Sequence, residues 1–140
     1  MKFVLLALFC GFNFHNYDDV INYCTNFERV VSVIEQIKYN YDRDEFRRLQ
    51  EPAETLKLGY GDCADIAILG KDLLERIGYK VKMLRLILYG NIISHIIIEV
   101  QHDNHNYIFS NDKIYKDITV HEFATEKGFN GIQVIEDLND

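Results

Sequence analysis

The chain has 140 residues, the usual size of one domain with its own hydrophobic core, and we expect residues 1–140 to form a single domain. Apolar residues make up 48% of it and charged residues 26%, with one proline, which is typical of an ordered globular protein and excludes a low-complexity chain. The net charge of −7, with scattered Lys and Arg residues, excludes binding along a row of phosphates, so nucleic acid is not an expected partner.

The first residues are largely apolar. Lys2 and the run 3–12 resemble a short secretory signal, but no small-x-small cleavage site follows them. The run is too short for a membrane-spanning helix, and we expect no membrane span. Residues 1–16 therefore have two interpretations, a signal-like segment or an ordinary buried segment, and the sequence leaves an exported, periplasmic location and a cytoplasmic one equally open.

The next segment has the pattern of a long helix. Apolar side chains recur at helical spacing behind acidic residues that suit a helix start, and this predicts one helix over residues 18–41. Residues 42–61 are rich in charge, contain Pro52 and end in Gly59-Tyr60-Gly61, a composition that breaks regular structure. We therefore expect a loop that leads to residue 62.

A second helix is expected directly after this loop. Asp62 has a side chain suited to an N-cap, and the apolar stripe behind it stops before Gly78, a residue suited to a helix C-terminus. The pattern predicts a helix over residues 62–77. Three segments rich in β-branched and aromatic residues then predict strands: 80–88, 94–100 and 106–111.

The last part of the chain predicts one more helix and one more strand. Thr119 and Glu122 have the spacing of a capping box for a short helix, and residues 131–135 have the composition of a strand. Helices followed by an antiparallel β-meander are an α+β pattern, because strands and helices do not alternate as they do around a parallel sheet.

One of the three cysteines is placed for chemistry. Cys10, Cys24 and Cys63 show neither the spacing of a zinc site nor the density of a disulfide scaffold. Cys24 lies on the apolar face of the first predicted helix, as a small core residue does. Cys63 is in the first turn of the second helix, where backbone N–H groups and the helix dipole stabilise a thiolate. The alternative interpretation of Cys63 is a buried structural cysteine.

A cysteine nucleophile needs a base, and His95 is the best placed histidine. Alternation along strand 94–100 puts His95 with Ile97 and Glu99, on the face away from the most apolar layer. The other four lie in a polar turn, in the capping segment or behind the N-terminal run: His102, His105, His121 and His15. None of these four has an evident functional partner.

The hairpin after His95 suggests a third residue for the site. A two-residue turn of Asp103-Asn104 places Asp112 opposite His95, and the alternative of a three-residue turn, with the register shifted by one residue, places Asn111 there. Directly opposed residues share a face of the sheet, close enough for a side-chain hydrogen bond that orients the imidazole. We favour Asn111 and keep Asp112 as the alternative. The same residues also suit an ordinary hairpin end.

These residues resemble a known family. Residues 51–63 are similar to the approach to the nucleophile in bacterial transglutaminase-like cysteine proteinases, P-x-E-T-L, a spacer and G-x-G-D-C, and the resemblance extends over about residues 17–112. It implies a papain-like or transglutaminase-like core, with N-terminal helices packed on the meander. It also implies Cys63 as nucleophile, His95 as base and a third residue in the corner Ser110-Asn111-Asp112.

The chain departs from this family at two positions. Members that cleave adhesins in the periplasm use an acidic residue directly after the cysteine, with the Asp before it, around calcium, whereas this chain has Ala64. Asp62 alone is a poor site for an ion that takes about six to eight oxygens, so we expect no metal and no cofactor. The second departure is the third residue, usually an acid, which as Asn111 gives a papain-like triad.

The sequence thus predicts a cysteine-dependent peptidase or amidase that acts on a protein or peptide through an acyl-enzyme. Two alternatives stay open. Resolution of the acyl-enzyme by an amine gives a transglutaminase-type acyltransferase. Loss of catalysis gives a binding or assembly module, for example in a phage particle.

Overall fold

The structure, a computed structural model, describes residues 14–40, 48–91 and 93–136, so Cys10 and most of the apolar N-terminal segment lie outside it. The α+β prediction is confirmed. The elements in chain order are α1 (Tyr17–Tyr23), α2 (Phe27–Ile34), β1 (Lys38–Tyr39), α3 (Pro52–Leu58), β2 (Tyr60–Gly61), α4 (Cys63–Arg76), β3 (Val81–Ile87), β4 (Ser94–His102), β5 (His105–Ser110), β6 (Lys113–Lys116), α5 (Val120–Glu126) and β7 (Gly131–Ile135).

The single helix predicted over 18–41 is wrong, because two short helices and a strand occupy this segment. Asn26 has an extended backbone, and its side-chain oxygen accepts a hydrogen bond from the N–H of Arg29 at 2.9 Å, which starts α2. The apolar spacing continues across this break, so it looks like one helix in the sequence. Cys24 is 2% exposed between the two helices, which confirms it as a small core residue.

The predicted loop before Asp62 contains a helix and a strand. Pro52 opens α3, since a proline at the first helical position has no N–H to leave unsatisfied. The helix ends at Gly59, whose φ of 76° is the left-handed conformation that glycine adopts readily. β2 then pairs in parallel with β1, and this pairing holds the chain that enters α4.

The second helix, the predicted strands and the short helix capped by Thr119 are confirmed, with ends shifted by up to two residues, and β6 is an additional strand. Five antiparallel strands form one sheet in the order β6-β5-β4-β3-β7. The strands β3 to β6 follow one another as a meander, with β7 added beside β3. β4 is therefore the central strand.

Each face of this sheet packs against a helical layer. α1, α2 and α4 cover one face, and we call the residues between them the α4-side cluster; its sheet members include Met83, Ile96, Ile98, Val100 and Phe109. α5 covers the other face, and the α5-side cluster consists of Leu84, Leu86, Ile97, Ile108, Val120, Phe123 and Ala124. Successive residues of β4 thus belong to different clusters.

α4 runs along β4 in the same direction. Gly70 lies against Ile98, since a Cβ added at Gly70 would be 3.0 Å from Cδ1 of Ile98. Beyond the end of α4, the hydroxyl of Tyr79 is 2.6 Å from Nδ1 of His102, at the end of β4. Cys63 lies seven helical residues before Gly70, and His95 lies three strand residues before Ile98. Each of these segments is roughly 10 Å long. Cys63 and the start of β4 are therefore at the same end of the sheet.

The two edge strands of the sheet differ in charge. β6 has a lysine at each end, whereas β7 contains no charged residue and exposes 60% of Val134. Within residues 14–40, 48–91 and 93–136, no helix is long and apolar enough to cross a membrane.

The contact at Gly70 leaves no room for a larger side chain. We expect Gly70→Leu to lower the free energy of unfolding by about 1–3 kcal/mol, because Ile98, Ile34 and Phe109 surround the added atoms within 4 Å. Urea denaturation measures this loss. Glu75→Leu, on the exposed side of the same helix, is the control and should change stability by less than about 0.5 kcal/mol. Equal stability of the two variants would contradict the packing of α4 on β4.

Candidate active site

The start of α4 is a complete capping box. The side chain of Asp62 accepts a hydrogen bond from the N–H of Asp65 at 3.0 Å, and the carboxylate of Asp65 accepts one from the N–H of Asp62 at 3.0 Å. Asp62 is thus confirmed as the N-cap. Cys63 is the first residue of the helix, is partly buried, and packs against the α4-side cluster.

Gln50 fixes the segment in front of Cys63. Its backbone N–H donates to the second oxygen of Asp65 at 2.9 Å, and its side-chain amide donates to Thr55 at 3.0 Å and to the carbonyl of Tyr60 at 3.1 Å. Gly61 is packed so closely that an added Cβ would lie 2.7 Å from Cβ of Asp65. The backbone in front of Cys63 is therefore held in one conformation, which leaves no room for a side chain at position 61.

His95 lies near the start of β4, on the side of α5. It pairs across the sheet with Leu86, a member of the α5-side cluster, and its ring is nearly parallel to that of Phe129, with 6.2 Å between centroids and 16° between planes. Nε2 of His95 is 2.8 Å from Oγ of Ser110, a buried residue of the neighbouring strand. The ring is thus oriented by one hydrogen bond and one aromatic neighbour.

Burial, and secondarily the positive charge of Lys127, lowers the pKa of His95 below its ordinary value of 6.5. The imidazole is therefore neutral at neutral pH, the form that can accept a proton. Burial also raises the pKa of Cys24 to about 12, so that this thiol stays protonated.

The hairpin register determines which residue meets His95. His102 pairs with His105, and the turn between them has only Asp103 and Asn104, both with positive φ. The three-residue turn considered from the sequence is therefore wrong.

β5 ends at Ser110, which pairs with Lys113, so Asn111 and Asp112 form the turn to β6. Oδ1 of Asn111 is buried and has no hydrogen-bond partner among the residues that the structure describes. The hydrogen bond expected from Asn111 or Asp112 onto His95 is made in the structure by Ser110.

Ser110 belongs to the corner that the family resemblance implied, but the hairpin argument did not select it because that argument considered only the residue directly opposite His95. In the observed register Ile98 is opposite Phe109, which places Ser110 opposite Ile97. Ile97 and His95 share a face, so Ser110 is the diagonal neighbour of His95 on that face. The sequence could have given this placement of Ser110, because it follows from the alternation of side chains along β4 combined with a two-residue turn.

The site residues thus come from two faces of one sheet. His95, Ser110 and Phe129 lie together on the side of α5, whereas Cys63 packs with the α4-side cluster. Both groups are at the end of the sheet where α4 and β4 begin.

Comparison with known proteins identifies the family of this fold. A family profile described as a transglutaminase-like domain matches residues 13–136. The chain belongs to the transglutaminase-like family. None of the curated proteins matches the chain.

Solved structures show the same transglutaminase-like fold. Legionella pneumophila LapG is 18% identical, with a TM-score of 0.53 over 83% of this chain and 77% of its own. Its calcium-bound structure has a TM-score of 0.51 at 18% identity, over 83% and 77% of the two chains. Its EGTA-treated structure has a TM-score of 0.53 at 18% identity, over 83% and 75%. These comparisons confirm the fold class expected from the sequence.

The lowered pKa of His95 makes folding stability depend on pH. Below its ordinary value of 6.5, the unfolded chain binds a proton at His95 that the folded chain does not, so this residue's contribution is complete above that pH and decreases on acidification. We expect the stability difference between wild type and His95→Gln to move in favour of the variant between about pH 7.5 and about pH 5, by about 1.4 kcal/mol per unit of pKa difference. Urea titrations at each pH measure it, and a difference that is independent of pH would contradict the buried neutral imidazole.

Proposed function

We propose that this chain is a cysteine-dependent hydrolase of amide bonds in a protein or peptide, with Cys63 as nucleophile and His95 as its base. The observation that supports it most is the neutral, oriented imidazole of His95 at the end of the sheet where α4 begins with Cys63. Membership of the transglutaminase-like family agrees with this chemistry. The proposal requires Sγ of Cys63 and the ring of His95 to meet at the sheet end.

In the first half of the reaction, Sγ of Cys63 attacks the carbonyl carbon of the amide. The thiol proton passes to Nδ1 of His95, since Nε2 is engaged with Ser110. The carbon–nitrogen bond then breaks, and the leaving amine takes the proton from His95. The product is a thioester between Cys63 and the acyl group.

In the second half, water resolves the thioester. His95 accepts a proton from the water as the new carbon–oxygen bond forms, and the carbon–sulfur bond breaks. The sulfur recovers its proton from His95, so the enzyme returns to its starting state with a carboxylic acid and an amine released. In both halves we assign stabilisation of the oxyanion to the backbone N–H of Cys63 at the start of α4.

The third residue of the site belongs to the corner formed by Ser110, Asn111 and Asp112. Sequence reasoning favoured Asn111, with Asp112 as its alternative, whereas the hydrogen bond at Nε2 of His95 favours Ser110. A residue in this role fixes the tautomer and direction of the imidazole and does not join a covalent bond.

The residues around Cys63 do not fit a calcium ion. Both oxygens of Asp65 and one of Asp62 accept hydrogen bonds from backbone N–H groups, and Ala64 contributes no ligand. The described part of the chain contains no group of three or more His, Cys, Asp or Glu residues that could hold a metal. Calcium is bound in one LapG structure, but our mechanism for this chain includes no metal.

Family membership also favours a second function, in which an amine and not water resolves the thioester. Incorporation of a fluorescent amine into a glutamine-containing protein, compared with release of ammonia or peptide from the same substrate, separates the two. Incorporation above hydrolysis would make the chain an acyltransferase.

The proposed roles predict unequal losses of activity. Cys63→Ala and His95→Ala should each reduce the cleavage of a peptide library, measured by mass spectrometry, to the background rate. Asn111→Ala and Asp112→Ala are matched controls in the adjoining turn, and we expect losses at least about ten-fold milder. Full activity of folded Cys63→Ala would overturn the proposal. If neither the wild type nor any of these variants cleaves the library, the result would favour a binding module.

Thiol labelling tests the nucleophile without a substrate. In the folded protein, iodoacetamide should alkylate Cys63 much faster than Cys24, because Cys63 is partly exposed at a helix start and Cys24 is buried with a raised pKa. His95→Ala should slow labelling of Cys63 alone. Equal rates at both cysteines would count against a reactive Cys63, and urea-unfolded protein provides the reference rates.

A further inference from the structure

We propose that Tyr89 is a specificity-determining residue, whose ring binds an aromatic or large aliphatic side chain of the substrate beside Cys63 and His95. The proposal rests on the function proposed above for these two residues. It adds the class of substrate, which is a peptide with such a side chain a few residues from the bond that is cleaved.

Tyr89 has an exposed ring that is held in one position. The residue is 66% exposed, and its backbone N–H donates to Oδ1 of Asn130 at 2.8 Å. Asn130 is itself fixed, because its N–H donates to the carbonyl of Ile87 at 3.0 Å. A Cβ added at Gly131 would lie 2.3 Å from Cε2 of Tyr89, so the ring occupies the space above this glycine. Binding of a substrate to a ring held in this way costs little side-chain freedom.

The ring of Tyr89 lies on the same side of the sheet as Cys63. Gly131 and Ile135 share one face of β7, since they are four residues apart, and Ile135 belongs to the α4-side cluster. The ring above Gly131 is therefore on the side of α4. Cys63, the first residue of α4, packs against the same cluster.

The ring is also at the end of the sheet where the proposed site lies. Gly131 pairs with Ile87, and Ile87 pairs with Ser94, the residue directly before His95. These residues form one row across β7, β3 and β4. Two strand spacings, roughly 10 Å, separate β7 from β4, and an extended peptide covers this distance in about three residues. A substrate with its amide at the proposed site thus reaches the ring with a side chain two or three residues away.

Other exposed apolar side chains border the same site. Ile93, in the other arm of the turn that carries Tyr89, is exposed two residues before His95. Tyr39 and Tyr60 are exposed in the paired strands β1 and β2, just before α4 begins. The segments that lead to the proposed nucleophile and to its base therefore both present apolar surface, as a site for apolar groups does.

A neighbouring cation decides which groups the ring favours, because an exposed aromatic face binds either apolar side chains or cations. The guanidinium of Arg85 is 3.3 Å from Oε1 of Gln133, which is two residues, roughly 7 Å, from Gly131 along β7. Arg85 forms no ion pair with another residue that the structure describes. Its positive charge disfavours a lysine or arginine of the substrate beside the ring, so an uncharged side chain is preferred.

The first experiment labels Cys63 with chloroacetyl tripeptide amides and needs no turnover. Each reagent carries one phenylalanine among glycines, and mass spectrometry measures the rate. With the wild type, phenylalanine at the second or third position should give labelling about three- to ten-fold faster than the triglycine reagent, the gain expected from an aromatic contact. Leucine should give a smaller gain and lysine none. Tyr89→Ala should remove the gain, and Tyr89→Phe should keep it.

Val134→Ala is the matched control for this experiment. Val134 is also well exposed, but it pairs with Leu84 and so lies on the α5 side of the sheet. This variant should keep the wild-type gain, whereas Gly131→Ala, which displaces the ring of Tyr89, should reduce it.

Three outcomes would overturn the proposal: no gain from phenylalanine with the wild type, an undiminished gain in Tyr89→Ala, or an equal gain from lysine. If Tyr89→Ala does not fold, which rapid labelling of the buried Cys24 would reveal, Gly131→Ala decides.

The second experiment compares cleavage of a peptide library by the wild type and Tyr89→Ala. Cleaved peptides should carry an aromatic or large aliphatic side chain two or three residues from the cleaved bond, and Tyr89→Ala should cleave these about three- to ten-fold more slowly than the wild type does. Labelling that depends on Tyr89, without cleavage by the wild type, would reject the hydrolase and retain the binding role of Tyr89. Cleavage that requires Cys63 and His95 but has no apolar preference would reject the role of Tyr89 alone.

Discussion

The carboxylate of Asp65 joins the segments that place Cys63. It is 1% exposed, and its two oxygens accept hydrogen bonds from the N–H groups of Gln50 and Asp62. Charged hydrogen bonds of this kind contribute about 1.5–3 kcal/mol each, and a buried carboxylate without them would be strongly destabilising. Gly61 is present because Asp65 occupies the space that a side chain would need. The start of α4 is thus organised by contacts within the chain, which is what the catalysis that we propose requires.

The position of the proposed site follows from the packing of helices on both faces of the sheet. In the middle of β4, Ile97 and Ile98 are fully buried on opposite sides, so groups there are separated by the sheet itself. Only at the end of the strand can a ring from one face approach a thiol from the other. His95, one residue into β4, satisfies this condition, and the parallel course of α4 brings Cys63 to the same end.

The sequence predicted the elements whose signals are local. The cap at Asp62 and the alternation of β4 located α4 and the meander, because each pattern has one structural solution. Apolar spacing could not show the break at Asn26, since both helices bury residues on the same side. Pro52 was taken as an end of regular structure, although proline is equally suited to begin a helix. The link between His95 and Ser110 depends on the hairpin register, and the sequence allowed two registers that differ by one residue.

The unequal edges of the sheet affect how copies of this chain behave at high concentration. An edge strand with lysines resists the addition of a further strand, because pairing would bring like charges together and desolvate them. β6 has this protection, whereas β7 has an uncharged backbone edge with Val134 exposed beside it. Edge-to-edge association, and the aggregation that follows from it, is therefore favoured at β7. The net charge of the chain, −7, opposes this association through long-range repulsion that salt weakens.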